Sequence, residues 1–369
     1  MPFQEVSKME SRRQLVHAVQ SGMSLSQACL RFGVTRPTGR KWVKRAAEVG
    51  IENICELSRA PHTVANRTPE DLELAVVAMK AEHSDWGARK LVPLLRKDKD
   101  LHVAVRTCER ILDRHGLTQK RVRTEPCTNR FERESCGALL QMDFKGLPAN
   151  TTYSLLTVLD DHSRFCLGFQ PVVDKTASSV KPALWDLFGL HGLPEQMLMD
   201  NGDCWGSTLS RMPTRFEVWL IRLGVKPIHG RPAHPQTQGK VERFHGTAKK
   251  ELKSALVQPS IALARQVIEP WVDRYNWVRP HDSLGGQTPG SHYVPFAKPR
   301  PATIPEPFVP DRALVRKVDQ SGLISFKGQT YKLGKGLIGE RVSILEKEDG
   351  YMISLNGYDL SYLHQLRCI

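Results

Sequence analysis

The chain has 369 residues, too many for one ordinary core, so roughly two to four domains are expected. Its formal net charge of +14 favours a polyanionic partner, nucleic acid before an anionic membrane surface. No apolar run is long enough to span a bilayer and no signal-type segment opens the chain, so membrane-spanning and secreted classes are set aside and a cytoplasmic protein is expected.

The eight cysteines form no Cys-x-x-Cys pair and no His pair stands at zinc-finger spacing, so reduced, mostly buried thiols are expected. The first stretch reads as three helices. Ser24 and Gln27 make a capping box for the second, and Gly33-Val34 makes a turn. Thr35 caps a third helix with Pro37 in its first turn. Helix, short turn, helix is the helix-turn-helix pattern, which would present Arg36, Thr38, Arg40, Lys41 and Lys44 to DNA. The alternative is an ordinary three-helix bundle with a solvated basic face. Gly39 counts against the recognition helix by about 1 kcal/mol relative to alanine.

A linker around Pro61 precedes a second helical unit that starts near Thr68-Pro69 and ends at His115-Gly116. It reads either as a second helix-turn-helix, with Arg106 and Arg110 toward DNA, or as a purely structural module. A basic segment then leads to apolar runs at 138–144, 152–160 and 164–169, read as an antiparallel meander. A helix near 177–190, a strand at 196–200, a helix at 216–223 and a short strand at 225–228 follow. That order is the ribonuclease-H-like layout, a mixed five-stranded sheet flanked by helices. After a proline-rich linker, alternating runs between 313 and 363 suggest a small β-barrel.

Three acids fall at telling places: Asp143 in the first strand, Asp200 at the end of the fourth, and Glu242 near the start of a helix beginning around Gln238. The first and fourth strands are neighbours in that layout, so the first two acids can meet, and the helix can lay Glu242 across the strand ends. Three carboxylates suit two hard cations such as Mg²⁺, whose remaining positions go to water and phosphate. Asn201-Gly202 gives a tight turn after Asp200. Lys249, on the same helical face as Glu242, is placed to hold a phosphate. Asp160 and Asp161 are rivals that suit capping or salt bridges better.

From about Leu139 to Thr288 the chain resembles the integrase core of bacterial insertion-sequence transposases, in the DDE transposase and retroviral integrase superfamily. The residues that carry this are Met142-Asp143-Phe144, Asp200-Asn201-Gly202, His234-Pro235-Gln236-Thr237-Gln238-Gly239-Lys240-Val241-Glu242-Arg243-Phe244 and Tyr275-Asn276-Trp277-Val278-Arg279-Pro280-His281. The last string has no mechanical role that its residues reveal. The resemblance implies Asp143, Asp200 and Glu242 as catalytic metal ligands, Mg²⁺ or Mn²⁺ as cofactor in two ions, and hydrolysis followed by strand transfer. Lys240, Arg243 and Lys249 are assigned to DNA. The segment between Asp200 and Glu242 is longer than the commonest spacing of the superfamily, with the extra length around Cys204 to Thr214. The zinc-binding His/Cys pattern of retroviral integrases is absent.

The resulting layout is a helix-turn-helix domain at 1–50, a second at 66–118, a basic linker at 119–135, a catalytic core at 136–296 and a C-terminal barrel at 311–369. The expected protein is a nucleoid-associated bacterial transposase. It binds terminal inverted repeats and target double-stranded DNA as a dimer or larger assembly, without membrane contact. The rivals are a non-catalytic DNA-binding regulator or target-selection factor with the same fold, and a nuclease that cuts without joining.

Overall fold

The computed structural model describes residues 7–56, 68–118, 132–149, 151–202, 205, 212–230 and 239–364. The chain divides into two compact units, Met1–Thr68 and Pro69–Ile369.

The first unit holds α1 (Lys8–Gln20), α2 (Leu25–Arg31) and α3 (Arg36–Val49). Ser24 and Gln27 form the expected capping box at α2. Gly33 turns the chain with φ +61°. Thr35 does not cap the α3 backbone; its hydroxyl bonds that of Thr38 at 2.9 Å. Leu15, Val16, Trp42, Ala46 and Ile54 form the core.

Gly39 is buried in α3, and a Cβ there would collide with Cys29 Sγ of α2. The glycine weakens the helix locally but lets two helices approach. Gly39→Ala sets a propensity gain of about 1 kcal/mol against an overpacking cost of about 1–3 kcal/mol. Because Cys29 is itself fully buried, packing wins and the variant lowers the melting temperature. A rise would mean that the helices separate freely.

The second unit begins with α4 (Glu70–Glu82), α5 (Ala88–Lys99) and α6 (Val105–Arg114). Val76, Met79, Trp86, Leu91, Leu95, Cys108 and Ile111 give them a core of their own. Next comes the mixed sheet: β1 (Leu140–Lys145), β2 (Ser154–Asp160), β3 (Cys166–Val172), β4 (Gln196–Met199) and β5 (Lys226–His229), in the order β3-β2-β1-β4-β5. The first three strands are antiparallel; β4 and β5 run parallel to β1. Alternation sends Met142, Leu156 and Val158 to one face, under α7 (Ala177–His191) and α8 (Arg215–Arg222). Leu155, Leu159 and Phe169 face the other way, under α9 (Gly239–Leu252) and α10 (Ile261–Asp273). Asp143 lies on this second face by the same alternation.

The C-terminal strands are β6 (Leu314–Lys317), β7 (Leu323–Phe326), β8 (Gln329–Lys332), β9 (Arg341–Lys347), β10 (Gly350–Leu355) and β11 (Tyr358–His364). The expected barrel does not close among the described residues. A four-stranded antiparallel sheet, β11-β10-β9-β6, and a β7-β8 ribbon share one core. Alternation in sequence specifies which side chains point inward; it does not specify which strand edges pair. Val218 and Ile221 of α8 belong to the same core, so the strands are seated on the helical layer that covers the mixed sheet. No described helix is long and apolar enough to cross a membrane.

Candidate active site

Strand register brings the first two acids together. Leu140 pairs with Met197 and Gln141 with Leu198 across the parallel β1-β4 ladder. The same register carries Asp143 level with Asp200, just past the end of β4. Neighbouring strands lie about 4.8 Å apart. Asp143 Oδ1 accepts from Phe144 N at 2.7 Å, and Asp200 Oδ1 accepts from Gly202 N at 3.1 Å. The Asp200 carbonyl is pinned by His229 Nδ1 at 2.9 Å, while His229 Nε2 meets Glu217 Oε1 at 2.8 Å. Burial opposes charge on His229, but the Glu217 carboxylate and the Asp200 carbonyl hold its pKa above the ordinary value. Both of its nitrogens face oxygen acceptors, and the Asp200 backbone is fixed from β5.

Glu242 comes from the first turn of α9 and is exposed. The three acids share one electrostatic field. Burial first, then Asp200 and Glu242, push the Asp143 carboxyl up to about 6, against the Phe144 amide and Lys175. Anions that push a neighbouring carboxyl's pKa up in a partly desolvated site favour a cation beside it. All-oxygen donors suit a hard divalent ion. Among the described residues no three His, Cys, Asp or Glu side chains stand close enough to grip a metal already. The acids share a field rather than a preformed coordination shell.

Three groups around the acids were not singled out in the sequence. His245 of α9 bonds Thr157 Oγ1 through Nε2 at 2.7 Å, and its Nδ1 lies 3.8 Å from Asp143 Oδ2. Thr157 is Asp143's partner on β2. Burial, then Lys145, lower the His245 pKa to about 4, so the ring is neutral. Lys145 feels both Asp143 and Lys249, and burial first, then Lys249, lower its pKa. Lys175 adds positive charge near Asp143 and lies over the Phe144 ring. Helical spacing from Glu242 is the signal that could have found His245, and strand alternation from Asp143 the one that could have found Lys145. Lys175 carries no local signal, because only the packing of the loop before α7 brings it near.

The remaining candidates separate by environment. Arg243 and Lys249 are exposed on α9. Lys240, expected to meet DNA, instead pairs with buried Asp161 at 2.5 Å and bonds its carbonyl at 2.9 Å, so its ammonium is committed to the fold. Asp160 and Asp161 have scaffold roles: Asp160 accepts from Gly137 and Ser163, and Asp161 from Arg133 and Gln141. Arg36, Arg40, Lys41 and Lys44 line a groove of about 500 Å³ on α3, while Thr38 is half-buried against Thr35. Arg106 and Arg110 are on α6, where Arg106 pairs with Glu109 at 3.2 Å and Arg110 bonds Thr107 at 3.5 Å. Residues 234–238 of the third motif lie outside the described residues, as do Cys204 and most of the longer segment after Asp200.

Residues 134–235 and 223–289 match integrase core domain families, and 313–354 match the IS481 family transposase C-terminal domain. Residues 11–61 match a helix-turn-helix domain and 38–112 a homeodomain-like domain. The chain is 28% identical over 155 residues to an uncharacterized protein of insertion element IS476 from Xanthomonas euvesicatoria, covering 42% of this chain and 43% of that protein. It is 26% identical over 204 residues to the uncharacterized protein K02A2.6 of Caenorhabditis elegans, covering 55% of this chain and 15% of that protein. The chain thus spans less than half the length of these curated relatives. Among solved structures, the HTLV-2 integrase catalytic core domain in complex with magnesium is similar at 20% identity and TM-score 0.35, covering 44% of this chain and 99% of that one. A simian T-cell lymphotropic virus intasome in complex with PP2A regulatory subunit B56 gamma is similar at 15% identity and TM-score 0.38, covering 78% and 99%.

Proposed function

We propose that this chain, an integrase-core protein with the C-terminal domain of IS481 family transposases, is a DNA transposase that cleaves transposon ends and joins the freed 3′-hydroxyl to target DNA. The observation that carries this reading is the β1-β4 register, which levels Asp143 with Asp200 under the first turn of α9. The proposed ligands are Asp143, Asp200 and Glu242, holding Mg²⁺ or Mn²⁺ in two ions. The cations supply the charge that acidifies water and neutralises a phosphodiester. Asp143 and Asp200 orient that charge from rigid strand ends. Glu242 closes the site from a helix tied to β2 through His245. Lys249 and Lys145 hold the phosphate beside it, and neutral His245 keeps the Asp143 side chain in place.

The proposed modules are 1–50 and 66–118 for binding the terminal inverted repeats, 119–135 as linker, 136–296 as catalytic core and 311–369 as C-terminal module. Two ends must meet for joining, so the active form is a dimer or larger assembly on DNA, acting on the bacterial nucleoid. DNA contacts come from Arg36, Thr38, Arg40, Lys41 and Lys44 on α3, from Arg106 and Arg110 on α6, and from Arg243 and Lys249. Each phosphate contact adds about 0.9 to the slope of log K against log salt. Arg40→Ala with Lys44→Ala is expected to lower that slope by about two. An unchanged slope in a titrated gel shift would remove α3 from the interface.

The test is a joining assay with a pre-cut end bearing a 3′-hydroxyl, a target plasmid and Mg²⁺. Joined product is expected. Cutting of uncut ends without joining would identify a nuclease, and end binding with neither reaction would identify a DNA-binding regulator.

A further inference from the structure

Glu251 lies in the last turn of α9. A carboxylate there opposes the helix dipole, whose negative end it faces. It is also buried, with its side chain 4% exposed. A residue so costly to its own helix has a purpose outside it. Its oxygens are fully engaged. Oε1 accepts from Trp86 Nε1 at 3.0 Å and from Arg279 Nε at 3.0 Å. Oε2 accepts from Trp271 Nε1 at 3.1 Å and lies 3.6 Å from Arg274 Nη2.

These partners belong to different parts of the second unit. Trp271 is on α10, and Arg274 and Arg279 belong to the turn that follows it. Trp86 belongs to the α4–α6 helical module, where it is 1% exposed in that module's core. Two further contacts follow the same seam. Lys250 Nζ bonds the Asp85 carbonyl at 3.3 Å, and the Arg274 guanidinium lies over the Trp86 ring at 5.1 Å. The other end of α9 carries Glu242, nine residues away, or about 14 Å along the axis at 1.5 Å per residue.

We infer that Glu251 is a positioning residue: a joint that fixes the α4–α6 module to the catalytic helix, so that DNA held by the module sets the placement of Glu242. This rests on the transposase reading above. One stiff helix has the joint at one end and the acid at the other. A shift of the module at Trp86 therefore moves the first turn of α9, and misplacement of a catalytic group by about 1 Å costs on the order of a hundredfold in rate. The tail string that includes Arg279 thereby gains a mechanical role, since its guanidinium neutralises the carboxylate that makes the joint.

The test uses the full chain with two variants. Glu251→Gln keeps the shape and removes the charge. Trp86→Phe deletes only the indole N–H donor and part of one ring, and serves if the first variant does not fold. Three quantities are read: affinity for end DNA, kcat and KM for end cleavage in Mg²⁺, and hydrogen exchange of the α9 amides without DNA. For a joint, affinity and KM stay within about twofold, kcat falls about tenfold or more, and exchange rises in the first turn of α9, remote from the substitution. A wild-type kcat overturns the proposal. So does a loss of affinity and melting temperature with a matching rise in KM, which marks a merely structural role. If the wild-type chain cleaves nothing, the transposase reading fails by itself. The joint then stands or falls on exchange, and unchanged α9 protection in Trp86→Phe overturns it.

Discussion

Asp143→Asn is expected to abolish cleavage while raising the melting temperature of the metal-free protein near neutral pH. The unfolded Asp143 carboxyl titrates near 3.8 and the folded one at about 6. Folding therefore favours its protonated form. Its contribution is most favourable below pH 4, is lost as pH rises toward 6, and remains a penalty above that. Burial is the first cause, the Asp200 and Glu242 carboxylates the next, and the Phe144 amide and Lys175 work the other way. A rise from 3.8 to about 6 corresponds to on the order of 2–3 kcal/mol. Asparagine keeps the oxygen that accepts from Phe144 and carries no charge, so the core transition should rise by about 5 °C at pH 7.5 and by little at pH 4. Mg²⁺ should raise the melting temperature of the wild type and not of the variant. In parallel, Asp143→Asn and Glu242→Gln should each lower cleavage and joining by about a thousandfold or more, the scale of several kcal/mol of lost charge stabilisation. End binding should stay intact. Equal activity in Glu242→Gln, or no pH-dependent gain in Asp143→Asn, would remove these acids from the site.

The second large effect is expected at Asn276. It sits in a π-helical turn, Arg274–Val278, and is 3% exposed. Its side-chain oxygen accepts from Cys166 N at 2.9 Å and its nitrogen donates to Cys166 O at 3.0 Å. Cys166 begins β3, the edge strand of the sheet, so this one amide pairs with the strand as a further strand would. Asn276→Ala leaves a buried N–H and a buried C=O without partners. At about 1–3 kcal/mol for each, the loss is about 2–6 kcal/mol. Denaturant unfolding of the core checks this. A loss under about 1 kcal/mol would show that water replaces the amide.

Much of this was legible in the residues because burial leaves a periodic mark. The apolar runs of β1, β2 and β3 and the helical spacing of α7 and α9 follow from which faces must leave water. Asp143, Asp200 and Glu242 stand out as candidates because the order of those elements constrains where their ends lie. Other features had no such mark. Gly39 looks like a local weakness until Cys29 is seen against it. Lys240 looks like a DNA contact until buried Asp161 takes its charge. The C-terminal strands alternate as a barrel would, yet their edges pair into two sheets.

The sequence by itself determined the elements, the excess of positive charge and the order of the three acids, since periodicity and residue chemistry act over a few neighbouring positions. Only the tertiary structure decided what each polar group meets: the common field that raises the Asp143 pKa, the Thr157–His245 tie, and the three donors and ion-paired Arg274 around Glu251. Those partners come from positions far apart in the chain. A desolvated charge is stabilised by what surrounds it in space, whatever precedes it in sequence.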